Sequence, residues 1–423
     1  MKFIEVKNHY IYHLSKGDNI LCYNNTNGKI AYVKDFSALD DAFFEEPNDT
    51  NINLDEVNYE QLYLAVSESC NFRCKYCRQQ KSYKLANMSL DEIKYAIDTF
   101  CSVSKAPKSV VFFGGEPLLN FEGIRYAIEY IRTLNLNVSF SMVINGSLCK
   151  PEIANYFAQN NVEIIVSLDG PKEIHNASRL NVKGKATYEE ALNGYLNLKE
   201  AGCVTGITTV IGPHNENQFD KLIDWAIELA PNSLGFCLPH GDKSNYAMGI
   251  TSFEKVHKEM LRAFNIFHKK GIYLVQIEQK LKAFILGYSI PFECKACGKR
   301  VVACKGAKFG ICEGPITKSE YFFSDIHKLK SCVKEYKKTS PYYIQSCRSC
   351  VAYRICGGSC VYDKITRFGR PDVPDDCRCG LNVMIAEWAM NFMINNIGKI
   401  NVTNQLSLSD RNILMKIFTQ NEN

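Results

Sequence analysis

A chain of 423 residues, 46% hydrophobic and 22% charged, has the composition of a globular protein with a real core and is long enough for two or three domains. The formal net charge of +5, without a long run of one sign, gives no electrostatic ground for a nucleic-acid partner. The opening MKFIEVKNHYIYHL mixes charges into its apolar residues and lacks a signal-peptide core, and no stretch reaches the ~18 apolar residues of a membrane helix, so the sequence reads as a cytoplasmic protein with no membrane partner.

Residues 1–57 read as a small N-terminal α+β unit. Tyr10–Leu14, Asn19–Tyr23 and Lys29–Val33 have strand character, and Asn27-Gly28 is a hairpin turn signal. A short helix is expected over Ser37–Phe44 and a polar linker over Glu46–Asn51. Residues 58–288 then alternate. Strands are expected at Leu62–Val66, Ser109–Phe113, Val138–Ile144, Val162–Leu168, Val204–Ile211 and Ser233–Leu238. Between them lie helical patterns, the first opened by the capping box Ser89-Leu-Asp-Glu92 and the last running over Phe253–Lys269. Six strand–helix units in series predict the α/β class, with a parallel sheet and helices outside. Six fall short of a closed eightfold barrel, so the expectation is a partial (β/α)6 TIM barrel whose active site lies at the C-terminal strand ends. Residues 289–400 form a cysteine-dense C-terminal domain, and 401–423 a polar tail with one helix near Ser409–Phe418.

The chain has 19 cysteines, an odd number that argues against a disulfide scaffold and for metal binding. Cys70, Cys74 and Cys77 follow the end of the first barrel strand, with Tyr76 before the last of them. Four thiolates would saturate a tetrahedral zinc or a cubane cluster, whereas three leave one iron of a cubane open. A structural zinc with its fourth ligand elsewhere is the alternative. Phe113-Gly-Gly-Glu-Pro117 ends the second strand. Gly114 and Gly115 allow close backbone approach to a ligand, and Glu116 can accept from an ammonium. Ile144-Asn-Gly-Ser147 ends the third strand. Ser167-Leu-Asp-Gly-Pro171 ends the fourth, followed by His175 and by Arg179, whose fork suits a carboxylate; an ordinary ion pair of Asp169 with Arg179 is the alternative. Downstream, Cys347, Cys350, Cys356 and Cys360 form C-x2-C-x5-C-x3-C, followed by Cys377 and Cys379 and preceded by Cys294, Cys297, Cys304, Cys312 and Cys332. Paired zinc ribbons are the alternative here. Cys22, Cys101, Cys149, Cys203 and Cys237 read as small buried hydrophobes.

The C-x3-C-x2-C loop with its aromatic residue resembles the signature of the radical S-adenosylmethionine (SAM) superfamily, and GGEP, Asn145-Gly146 and the Ser167–Arg179 run resemble that family's SAM-binding motifs. The resemblance implies that Cys70, Cys74 and Cys77 hold a 4Fe–4S cluster. SAM would be bound by Tyr76, Gly114, Gly115, Glu116, Asn145, Ser167, Asp169 and Arg179. The C-terminal cysteine run resembles the SPASM domain, which implies two auxiliary 4Fe–4S clusters and so three in all. Cys347, Cys350, Cys356 and either Cys377 or Cys379 would hold one. Cys360 would cross to the other, with Cys312 and one or two of Cys294, Cys297 and Cys304. The spacing from Gly306 to Cys312 departs by one residue from the SPASM pattern. The resemblance further implies a ribosomal precursor peptide with a leader as substrate, the leader adding to the N-terminal sheet. It implies a reductant such as flavodoxin or ferredoxin, and thioether formation as the reaction. Carbon–carbon cross-linking and formylglycine formation are the alternatives within the family, and a non-catalytic metal-binding module is the alternative outside it.

Overall fold

The computed structural model describes residues 1–45, 53–79, 87–239, 252–316, 318–400 and 404–420. The linker expected over 46–51 lies outside them. By packing, the chain divides into two compact units, neither of them one continuous stretch. Residues 1–54, 252–294 and 338–423 form one unit, and residues 55–251 and 295–337 form the other.

The first unit opens with an antiparallel meander of β1 (Lys2–Val6), β2 (His9–Lys16), β3 (Asn19–Asn24) and β4 (Ile30–Val33). The last three are the strands that the sequence predicts. β1 escapes prediction because KFIEV alternates charge with apolar residues at the sheet edge, where it is largely exposed. The far side of β4 is paired by Asn404–Gln405. Inward residues Ile11, Cys22, Ala31 and Val33 pack on Phe43, from a short helix Asp41–Phe44 that Asp40 caps. Four longer helices complete the unit: Phe253–His268, Val275–Leu286, Asp376–Asn396 and Leu408–Gln420. Phe264 meets Trp388 edge-on at 5.2 Å, and His268 stacks on Phe418 at 4.3 Å. The sequence expects Phe253–Lys269 to close the barrel series. The helix forms, but its apolar stripe packs in this unit, because a stripe at helical period does not specify its partner.

The second unit is built on six parallel strands in sequence order: β5 (Gln61–Ser67), β6 (Ser109–Gly114), β7 (Ser139–Ile144), β8 (Val162–Ser167), β9 (Thr205–Val210) and β10 (Ser233–Cys237). Their near-continuous apolar runs are what a sheet covered on both faces requires. Helices follow the strands as predicted, and the Ser89–Glu92 capping box forms in both directions. Beyond β5 the sheet gains β11 (Arg300–Cys304), parallel to β5, and β12 (Lys308–Gly310), antiparallel to β11. Residues 295–337, expected in the cysteine-rich domain, therefore pack with the barrel. Val301, Val302 and Ala303 are fully buried there, a strand pattern that the surrounding cysteines mask in the sequence. Among the described residues, no helix is long and apolar enough to cross a membrane.

Within the first unit, Arg411 of the last helix is buried and donates to the Gly28 carbonyl in the β3–β4 turn at 2.8 Å. Replacing it by Met removes a charged donor and leaves that carbonyl unpaired. The expected loss is about 2 kcal/mol of stability, read as a lowered thermal midpoint of the full chain.

Candidate functional site

The C-terminal ends of β6 to β10 and the cysteine loop that follows β5 border one cavity of about 310 Å³. Cys70, Cys74 and Cys77 line it, together with the expected Tyr76, Gly114, Gly115, Asn145, Ser167 and Arg179. The cysteine loop is held by backbone bonds to the segment that follows the fourth strand. Arg73 N donates to Leu180 O at 2.6 Å, Lys75 N to Ser178 O at 2.9 Å and Val182 N to Asn71 O at 3.1 Å. Phe72, 1% exposed, anchors the loop below.

The two glycines act first on the protein itself. A Cβ on Gly114, at φ +146°, would lie 1.9 Å from the Ser67 carbonyl oxygen, and one on Gly115 would lie 2.3 Å from that of Ser69. Without side chains, Gly115 N and Glu116 N each bond back to those same carbonyls at 2.8 Å, so the end of β6 lies flush against the start of the cysteine loop. Glu116, expected to face an ammonium, instead stands behind the wall and is 1% exposed. Its carboxylate accepts Asn145 N at 2.7 Å and Leu118 N at 3.1 Å, and burial pushes its pKa up to about 7. Asn145 is likewise bound into the frame. Its amide donates to Asn71 Oδ1 at 2.8 Å and its oxygen accepts from Ser147 Oγ at 2.7 Å, joining the third strand end to the cysteine loop.

Asp169 also stands behind the wall, fully buried. It accepts from Tyr76 Oη at 2.6 Å, Ser178 Oγ at 2.9 Å and Val210 N at 3.0 Å, and pairs with Arg179 Nε at 3.0 Å. Burial is the largest single influence and opposes its ionisation, but the Arg179 charge and the hydrogen bonds from His214 and Arg179 together outweigh it and hold the carboxyl well below the usual range. Arg179 lies over the Tyr76 ring at 5.4 Å, and His214 stacks on that ring at 6.0 Å. The ion pair that the sequence leaves as an alternative is thus present, and Arg179 still borders the cavity.

Burial pushes the Cys70 thiol up to about 11 and the Cys74 thiol up to about 12, so a bound cation is needed to hold them as thiolates at neutral pH. Among the described residues, no three His, Cys, Asp or Glu side chains converge on a single metal ion. Three thiols on one cavity wall are a donor set that fits a multi-iron core, where each sulfur meets its own iron. Cys237 is a residue that sequence reasoning missed: read as core, it lines the cavity, and its sulfur lies 3.3 Å from Thr208 Oγ1. Its place at the end of the sixth strand was the available signal.

In the first unit, Cys379 stands within electrostatic reach of Cys356, Cys347 and Cys350, all of which are at least partly buried. Cys377, on the other side of the same helical turn, faces Arg367 and Asp375. Cys360 falls within reach of Cys294. In the second unit, Cys304 packs with Ala65, Val302 and Phe322. Cys297 donates to Tyr336 O at 3.5 Å, and Cys312 accepts Gly314 N at 3.2 Å.

Residues 64–226 match the family model described as the Radical SAM superfamily. The radical SAM cyclopropyl synthase TigE of Paramaledivibacter caminithermalis is 24% identical over 347 residues, covering 76% of this chain and 71% of that protein. A cysteine-type anaerobic sulfatase-maturating enzyme of Clostridium perfringens is 22% identical over 332 residues, covering 71% and 88%. Native anSMEcpe with bound AdoMet and Cp18Cys peptide superposes with a TM-score of 0.68 at 20% identity, over 81% of this chain and 99% of that one, a likeness of fold.

Two substitutions probe this frame. Gly114→Ala must displace the Ser67 carbonyl and is expected to lower the thermal midpoint of the full chain by several degrees, whereas Gly398→Ala, in open space, leaves it near the parent value. Asp169→Asn strips the buried Arg179 of its counter-charge; about 3 kcal/mol of stability should be lost in thermal denaturation.

Proposed function

We propose that this protein, whose residues 64–226 match the Radical SAM superfamily model, is an enzyme that modifies a ribosomally made precursor peptide and joins a cysteine sulfur to carbon. The observation that carries the reading is one cavity, at the strand ends of a parallel sheet, lined by the three thiols of a C-x3-C-x2-C loop. Cys70, Cys74 and Cys77 would hold a 4Fe–4S cluster with one iron left for SAM. Bound there, the pair would supply a 5′-deoxyadenosyl radical by one-electron cleavage of SAM, the chemistry needed to take a hydrogen from substrate. This chain's residues bind and orient. Gly114 and Gly115 seat the strand end against the cysteine loop at the cavity wall, Asn145 and Ser167 line the space beside it, and Arg179, held in place by Asp169, would offer a guanidinium to the SAM carboxylate. Apolar Phe113, Val143 and Val210 exclude water from the same space.

Cys347, Cys350, Cys356 and Cys379 are the proposed ligands of one auxiliary 4Fe–4S cluster, and Cys360 with Cys294 takes part in another. A thioether made from a C–H and a thiol loses one hydrogen to the adenosyl radical, and one proton and one electron besides. An auxiliary centre is the natural sink for that electron, and flavodoxin or ferredoxin is the proposed reductant. A peptide substrate is supported by the peptide bound in the anSMEcpe structure, and the exposed edge strand β1 offers a place for a leader. The resemblance to a cysteine-type sulfatase-maturating enzyme favours formylglycine formation as the second reading.

Anaerobic reconstitution is expected to load about 12 irons per chain and to yield 5′-deoxyadenosine on reduction with SAM. Cys74→Ala should abolish that cleavage. Cys379→Ala should lower iron content while Cys377→Ala leaves it near the parent value. With a short cysteine-containing precursor peptide, mass spectrometry should show loss of two hydrogens and one fewer alkylatable thiol. Zinc in place of iron with intact SAM would refute the enzyme reading, and an aldehyde in the product would select formylglycine.

A further inference from the structure

Two lysines with almost no solvent contact stand beside the cysteines of the first unit. Lys364 is 2% exposed and Lys280 is 6% exposed. The ammonium of Lys364 donates to Thr339 Oγ1 at 2.9 Å and to Thr339 O at 3.3 Å, both neutral. The anionic groups within its electrostatic reach are Cys356, Asp375, Cys379 and Cys347. Asp375 is already paired, with Arg367 at 2.7 Å and Arg378 at 3.7 Å. Lys280 reaches the Cys356 carbonyl at 3.4 Å and Asn382 Oδ1, and pairs with the half-exposed Glu293 at 3.2 Å. Asn382 Nδ2 in turn donates to the Cys356 sulfur at 3.3 Å.

A buried ammonium whose hydrogen-bond partners are neutral is stable only with an anion nearby. For Lys364, with Asp375 already paired, the neighbouring groups able to carry that charge are the cysteines; Lys280 shares its charge between Glu293 and the Cys356 side of the same group. A cluster held by four thiolates is anionic, and each electron added makes it more so. Fixed cations and an N–H donor to a ligand sulfur therefore favour the reduced form. The surroundings of Cys360 differ. Its neighbouring cation Arg378 is neutralised by Asp363 at 2.8 Å.

We propose that Lys364, Lys280 and Asn382 raise the reduction potential of the centre formed by Cys347, Cys350, Cys356 and Cys379, setting it apart from the Cys360 centre as the better electron acceptor. This rests on the reading of those four cysteines as ligands of a 4Fe–4S cluster. The three residues touch no substrate; they position charge against the ligands.

The test is a redox titration of the anaerobically reconstituted full chain, followed by electron paramagnetic resonance, with iron content measured alongside. In Lys364→Met and Lys280→Met, one auxiliary midpoint should fall. The expected change is at least tenfold in the reduced-to-oxidised ratio at fixed potential, about 59 mV for a one-electron couple. Lys364→Arg should stay near the parent, and the other transitions should not move. Full iron with unmoved midpoints in both Met variants overturns the inference. So does loss of iron in both, since the lysines would then hold the ligand loops and not the potential. A parent protein that shows no auxiliary signal, with unchanged iron in Cys379→Ala, overturns the cluster reading itself and the inference with it.

Discussion

A single buried carboxylate, Asp169, fixes the geometry of the cavity. It ties together the end of the fourth strand, the fifth strand through Val210 N, the cysteine loop through Tyr76 and the following segment through Ser178 and Arg179. A charge this deep is tolerated because every bond it accepts is directed at it and a guanidinium stands opposite. The pair does two things at once. It locks the loop that carries the three thiols, and it keeps a cation at the cavity wall whose stem and neighbours cannot relax into solvent.

Close backbone contact is the second constraint. The loop 68–77 lacks the regular bonding of the sheet, so its shape depends on what surrounds it. On one side the glycine pair lets β6 bond directly to Ser67 and Ser69. On the other, residues 178–182 pair along it. Glu116 and Asn145 complete the frame from below. Two residues whose chemistry suggests ligand binding thus spend their hydrogen bonds on backbone and on Asn71. Ser167, Arg179, the glycine edge and part of Asn145 remain on the cavity wall.

In the other unit, the same logic of burial acts on a cluster of thiols. Cys347 and Cys350 sit on a loop held by Asn25, whose amide donates to Arg348 O at 2.8 Å and to Cys350 O at 2.9 Å. The N-terminal meander is therefore bonded to the backbone that carries the cysteines, which gives a small sheet a structural duty beyond covering its own core.

The alternation of apolar strands and amphipathic helices, the three-cysteine spacing and the glycine pair were legible because each is set by local period or by chain contact over a few residues. From them the parallel order of β5 to β10 and the site at the strand ends followed. Tertiary structure alone decided the rest. Whether Glu116 and Asp169 face the cavity or stand behind it depends on backbone N–H groups far along the chain. That Cys379 lies within electrostatic reach of Cys347, Cys350 and Cys356 while Cys377 faces Arg367 and Asp375 depends on which side of one helical turn meets the loop. The destination of Phe253–His268, and the recruitment of Arg300–Cys304 into the barrel sheet, turned on packing between segments distant in sequence. A residue's type and spacing fix what it can bond to; only the folded chain fixes which partner arrives.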